Sequence, residues 1–319
     1  MSAAPAEPSS ADSVIIVRDL VKRYEALTAL DRASFSVARG EIFGILGPNG
    51  AGKTTLVEIL EGLTRATEGS ASVLGIEVTE DPQAVKARIG VQLQAASYHQ
   101  YLTLREILDL FGSFYPHHAD PIELLRRVHL EDRADSRMRT LSGGMKQRFS
   151  IVAALVNQPD LVFFDEPTAG LDPDARHDLW DIVREVRASG ATVVLTTHYM
   201  EEAEALCDRV AFMNQGQLVA LDTPQGLIRS LHAPYRLTLT TARPLPEAEV
   251  RAIPGALEVM QEQTADGFVV RVRAQTASAV TTALTTLAAS NGTEIIDLAV
   301  QPGTLEDVFL SVTGLRLSE

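Results

Sequence analysis

Residues 47–55 read Gly-Pro-Asn-Gly-Ala-Gly-Lys-Thr-Thr, and this stretch decides the fold. It fits G-x-x-x-x-G-K-[ST], with an apolar run before it (41–46, EIFGIL) and Leu56, Ile59, Leu60 and Leu63 at helical spacing after it. A phosphate-cradling loop needs both flanks: a strand to hold it, and a helix whose free N–H groups and positive dipole end face the anion. Gly47, Gly50 and Gly52 let backbone amides approach phosphate oxygens, Lys53 reaches toward the β and γ oxygens, and the Thr54 hydroxyl suits Mg²⁺. The plainer reading is a glycine turn between strand and helix. The full motif with both flanks favours a nucleotide.

Working outward, the 319 residues allow one large domain and a smaller one. With 42 acidic against 28 basic residues the net charge is −14, which argues against a non-specific nucleic-acid binder and against adhesion to an anionic bilayer by charge alone. Membrane association is therefore expected through a protein partner. The single cysteine, Cys207, excludes an internal disulfide and suits the cytosol. No signal peptide or membrane span is expected: residues 1–13 lack a basic start and an apolar segment, and the uncharged stretch 274–293 is rich in Thr, Ser, Gln and Asn.

Residues 1–13 read as a mobile tail, and 14–230 as the nucleotide-binding domain, opening with the short strands 14–17 (VIIV) and 35–37 (FSV). A helical subdomain is expected over about 95–159. Thr103 and Glu106 form a capping box ahead of Leu104, Ile107, Leu108, Phe111 and Phe114. Asp120 and Pro121 open the next helix, and Ser142 caps a third that runs to about Asn157. Leu161–Phe164 reads as a strand buried on both faces that ends in Asp165 and Glu166, and 192–196 as another that ends before His198. In open α/β sheets ligands gather at carboxyl ends of strands, which gathers these three residues near the loop.

Residues 231–319 predict an accessory α+β domain with the order βαββαβ, a ferredoxin-like arrangement, and a last helix near Thr304. His99, His117 and His118 have no partners at metal spacing and read as exposed loop residues. Trp180 reads as core, and the acidic run from Met200 (MEEAEAL) as a solvated helix surface.

Together the motifs, in this order over residues 14–230, resemble the ATP-binding subunit of an ATP-binding cassette (ABC) transporter. The resemblance implies an α/β fold of the P-loop NTPase class, with a RecA-like core, an antiparallel β subdomain and a helical signature subdomain. It further implies that Tyr24 stacks on adenine and that the loop Gly47, Pro48, Asn49, Gly50, Ala51, Gly52, Lys53, Thr54 and Thr55 holds the phosphates of ATP. Thr54, Gln94 and Asp165 are the implied Mg²⁺ contacts, and Gln94 also touches the attacking water; Gln92, two residues away, is the rival for that role. Ser142, Gly143 and Gly144, in LSGGMKQR, match the signature that closes over the γ-phosphate of ATP bound to a partner copy. Glu166 matches the general base, His198 the γ-phosphate switch, and Asp172 the loop crossing between copies.

The expected partners are a second copy of the chain, head to tail, and a separate membrane subunit bound near Ala95–Arg105, with no nucleic acid. The location implied is cytoplasmic, at the inner face of the cell membrane. The ending 302–314 (PGTLEDVFLSVTG) is similar to exporter ATPases of the daunorubicin-resistance kind, which points to efflux of a drug, antibiotic or lipid-like substrate. A non-transport ATPase acting on ribosomes or nucleic acid, or an importer ATPase, is the alternative.

Overall fold

The computed structural model describes residues 12–25, 27–92 and 98–313. In chain order the elements are β1 (Ser13–Tyr24), β2 (Leu27–Ala38), β3 (Ile42–Leu46), α1 (Lys53–Leu60), β4 (Glu68–Val73), β5 (Ile76–Glu77), α2 (Pro82–Lys86), β6 (Ile89–Gln92), α3 (Leu104–Gly112), α4 (Pro121–Arg127), α5 (Gly143–Ala153), β7 (Leu161–Asp165), α6 (Pro173–Ala188), β8 (Thr192–Thr197), α7 (Met200–Leu206), β9 (Arg209–Asn214), β10 (Gln217–Asp222), α8 (Pro224–Arg229), β11 (Tyr235–Thr241), α9 (Glu247–Arg251), β12 (Ala256–Thr264), β13 (Gly267–Ala274), α10 (Ala277–Ser290), β14 (Ile295–Pro302) and α11 (Leu305–Thr313). The chain divides into two compact units, one ending at Pro224 and the other beginning at Gln225.

The first unit is built on a six-stranded sheet ordered β10-β9-β3-β8-β7-β6. β3 pairs in parallel with β8 and β9, β7 with β6 and β8, and only β10 runs antiparallel, to β9. All five residues of β3 and all six of β8 are buried, as continuous apolar runs covered on both faces must be. Because β3, β8 and β7 are neighbours pointing the same way, the loop after β3, the acids ending β7 and the histidine after β8 emerge side by side.

A second, antiparallel sheet orders β2-β1-β4-β5. β1 and β2 are 12 residues each, longer than the two short strands expected. Register shifts between Val17 and Leu20 and a positive φ of 45° at Asp19 break the alternation that would have marked one long strand, while the Asp19 N–H donates to Ser34 Oγ at 2.8 Å.

The helical segment behaves as its caps dictate. Thr103 and Glu106 form the reciprocal capping box on α3, and Asp120 accepts from Ile122 and Glu123 at the head of α4. Phe114 lies past the end of α3 and is 72% exposed, so it leaves the apolar face that Leu104, Ile107 and Leu108 bury. α5 ends at Ala153, short of Asn157, whose amide instead donates to the Ile89 carbonyl at 2.9 Å.

The second unit has an antiparallel sheet ordered β12-β13-β11-β14, with α9 and α10 between its strands in the sequence order βαββαβ. Leu237, Leu239, Val270 and Val272 from the sheet pack with Val250 of α9 and Val280, Leu284 and Ala288 of α10. On α11, the buried Asp307 pairs with Arg236 of β11 and with Arg273 of β13, the latter at 3.1 Å. Among the described residues no helix is long and apolar enough to cross a membrane.

Candidate active site

A cavity of about 670 Å³ opens at the carboxyl ends of β3, β7 and β8. The loop folds so that Gly52, at φ 101°, ends in a left-handed turn and frees the N-terminus of α1. Gly47 is required for a different reason: a Cβ there would lie 2.3 Å from the Met213 carbonyl oxygen. Asn49 and Gly50 through Thr55 line the cavity, as does Tyr24. Tyr24 is 42% exposed, and Lys22 Nζ lies 4.6 Å from its ring centre.

The Lys53 ammonium is tethered to the loop's own carbonyls, donating to Gly47 at 2.7 Å and Pro48 at 3.2 Å. Burial draws its pKa below the ordinary lysine value, and Glu166 and Asp165 oppose that shift. Thr54 is exposed into the cavity.

Asp165 closes β7 and accepts from the Thr196 hydroxyl of β8. Glu166 follows at φ 45°, a left-handed conformation that a non-glycine residue adopts only under constraint. The constraint is visible: its N–H donates to both the carbonyl and the hydroxyl of Thr196, each at 3.1 Å. This turn points the carboxylate at His198, whose Nδ1 lies 3.3 Å from Glu166 Oε1, off the line of a full hydrogen bond. His198 packs on Tyr199 with centroids 4.0 Å apart, and the Arg176 guanidinium lies 4.3 Å from the tyrosine ring centre.

Tyr24, the loop, Asp165, Glu166 and His198 are therefore brought together. Ser142, Gly143, Gly144 and Asp172 are not among the cavity's lining residues. Ser142 caps α5 by accepting from Met145 at 3.3 Å, Gly143 has nothing within 4 Å of where a Cβ would stand, and both are exposed. Asp172 caps α6, accepting from Ala175 at 2.9 Å. Gln94 lies outside the described residues; its rival Gln92 ends β6 and is 1% exposed.

The acidic run on α7 corrects the sequence reading. Glu201 and Glu204 are exposed, but Glu202 is fully buried and accepts from Trp180 Nε1 at 3.3 Å. Burial raises its pKa, while the hydroxyls of Thr197 and Thr168, the Trp180 indole and the charge of Arg176 favour the ionised form. Thr197 precedes His198 and Thr168 follows Glu166 by two positions, so this carboxylate lies near the segments that carry both. The signal in the sequence was the (i, i+4) pairing of Glu202 with buried Leu206, together with a core tryptophan that requires an acceptor.

A phosphate-binding loop on a parallel sheet, faced by two acids and a histidine from the neighbouring strands, defines a nucleotide triphosphatase of the P-loop class. A family model described as ABC transporter matches residues 30–169. The chain is 39% identical over 308 residues to the daunorubicin resistance ATP-binding protein DrrA2 of Streptomyces coeruleorubidus, covering 92% of this chain and 93% of that protein. It is 36% identical to the Nod factor export ATP-binding protein I of Mesorhizobium japonicum, covering 100% of this chain and 92% of the relative. A solved structure of an ATP-binding subunit of an ABC transporter superposes with a TM-score of 0.62 at 33% identity, covering 68% of this chain and 92% of that one. The chain belongs to the ABC transporter family, as an ATP-binding cassette, an ATPase that powers transport.

Proposed function

We propose that the chain hydrolyses ATP as a head-to-tail pair of copies and drives a separate membrane subunit that exports a drug-like, antibiotic or lipid-like molecule. The carrying observation is the convergence of Lys53, Asp165, Glu166 and His198 on one cavity. Adenine stacks on Tyr24 and the triphosphate lies along residues 47–55, where backbone N–H groups and the α1 dipole meet its charge. Lys53, held by two carbonyls, is already aimed into the loop and needs only to exchange one of them for a phosphate oxygen.

The oxygen-only donor set of Thr54, Asp165 and Gln94 fits Mg²⁺. That ion, when bound, would neutralise charge on the triphosphate. Glu166 is the general base and His198 the γ-phosphate contact; the turn fixed by Thr196, which holds the Glu166 carboxylate in the cavity beside His198, supports both roles. Ser142, Gly143 and Asp172 are exposed, Gly144 is half-buried, and none of the four lines the chain's own cavity, which supports their acting on ATP held by the other copy.

The seat of the membrane subunit is an apolar groove of about 420 Å³ formed by the end of α1, β6, the α3 region and α5. Tyr98, Phe111, Phe114 and Tyr115 line it, and exposed Leu110 and Tyr101 belong to the same helical segment. Apolar surface of this kind, on a chain with a net charge of −14, supports a protein partner over direct lipid contact. The cytoplasmic face of the membrane is then the site of action. The names of the daunorubicin-resistance and Nod-factor-export relatives support the outward direction.

Glu166→Gln tests the reading. It should retain ATP binding, lose about 10²–10⁴-fold in turnover and accumulate as a closed pair on light scattering with Mg·ATP. Normal turnover would remove Glu166 from the base role.

A further inference from the structure

Glu61 caps the C-terminus of α1 through its backbone N–H, which bonds to the Val57 and Ile59 carbonyls, and it lines the apolar groove. The residue is 3% exposed, so what little of it meets solvent meets it there. Every influence on its carboxyl disfavours ionisation: burial first, then the charges of Asp165 and Glu58. Lys86 also lines the groove, yet among the described residues no lysine, arginine or histidine forms an ion pair with Glu61.

A purely apolar segment laid into the groove would strip the last water from this acid and leave it with no donor, while Asp165 and Glu58 still act on it. A neutral acceptor on the segment would leave Glu61 protonated and the local negative field unanswered. A cation answers both, pairing with the carboxylate and offsetting the two neighbouring acids.

We infer that the occupant of the groove is an apolar segment of the membrane subunit carrying one lysine or arginine that pairs with Glu61. This rests on the groove being the membrane subunit's seat. Glu61 is then a specificity residue: it disfavours apolar segments that lack a cation, because they strip its last water and leave a buried polar carboxyl without a partner.

The test uses the full chain and two labelled helical peptides of about a dozen residues, identical except for a central lysine in one and norleucine in the other, read by fluorescence anisotropy. The lysine peptide should bind about ten-fold tighter than its norleucine twin, and Glu61→Gln should bring the two within about two-fold while leaving the circular dichroism spectrum intact. Glu61→Met, whose side chain is apolar, should invert the preference. Equal binding of the two peptides to the unaltered chain, or a lysine preference that survives Glu61→Gln, overturns the cation pairing alone. The exposed Phe114 supplies the separate control. Phe114→Glu should weaken both peptides, and if neither peptide binds, or if this change leaves both affinities as they were, the groove is not the docking seat and both readings fall.

Discussion

Replacing Glu61 with glutamine keeps the shape of the side chain and removes its charge. The effect should therefore depend on pH in a way the structure dictates. Burial, with Asp165 and Glu58 adding repulsion, pushes the Glu61 carboxyl from 4.5 up to about 8. Between those values the folded chain holds a proton that the unfolded chain has released, so stability falls as pH rises, by about 1.4 kcal/mol for each pH unit. The contribution is fully present below 4.5 and lost once pH passes about 8, a total of ~5 kcal/mol as an upper bound.

Glu61→Gln removes this dependence. Urea unfolding in nucleotide-free buffer, followed by the fluorescence of the one tryptophan, Trp180, reports on the same unit. Near pH 4 the variant and the unaltered chain should agree within about 0.5 kcal/mol, and by about pH 8.5 the variant should be the more stable by ~3–5 kcal/mol. Parallel stability profiles would refute the reasoning, because they would mean that the Glu61 carboxyl has the same proton affinity folded and unfolded.

The other predictions concern the site itself. Lys53→Ala should abolish ATP binding by calorimetry, and undiminished affinity would refute the cradle assignment. Gly47→Ala should also weaken nucleotide binding severely, since its Cβ would stand 2.3 Å from a backbone oxygen that cannot yield without moving β9; full binding would show that the loop relaxes freely. Glu202→Ala should cost about 2–4 kcal/mol by leaving the buried Trp180 N–H without its acceptor and a cavity where the side chain packed, and Glu202→Gln distinctly less. A loss in Glu202→Ala under about 0.5 kcal/mol in urea unfolding would mean that the carboxylate is dispensable.

What could be read in the sequence was local. The phosphate loop, the acids after an apolar strand and the capping box on α3 are each contained in about ten residues or fewer, so their physics survives without tertiary context. Glu61 was not legible, and for Glu202 the sequence held only the spacing to Leu206 and the need of a core tryptophan for an acceptor. The acceptor role of Glu202 depends on an indole 22 positions away, and the isolation of Glu61 depends on what α1 happens to pack against. β1 and β2 were read too short because bulges interrupt their alternation. β9 and β10 were not anticipated, although β9 is what Gly47 packs against.

Mixing two crippled proteins tests the shared site most directly: Lys53→Ala, which lacks the cradle, and Ser142→Arg, which blocks the signature. Each alone should be inactive, whereas an equimolar mixture should recover up to about a quarter of normal ATP turnover, because half of the random pairs hold one intact cradle opposite one intact signature. Full activity of Ser142→Arg by itself, or no recovery on mixing, would contradict a pocket completed by two copies.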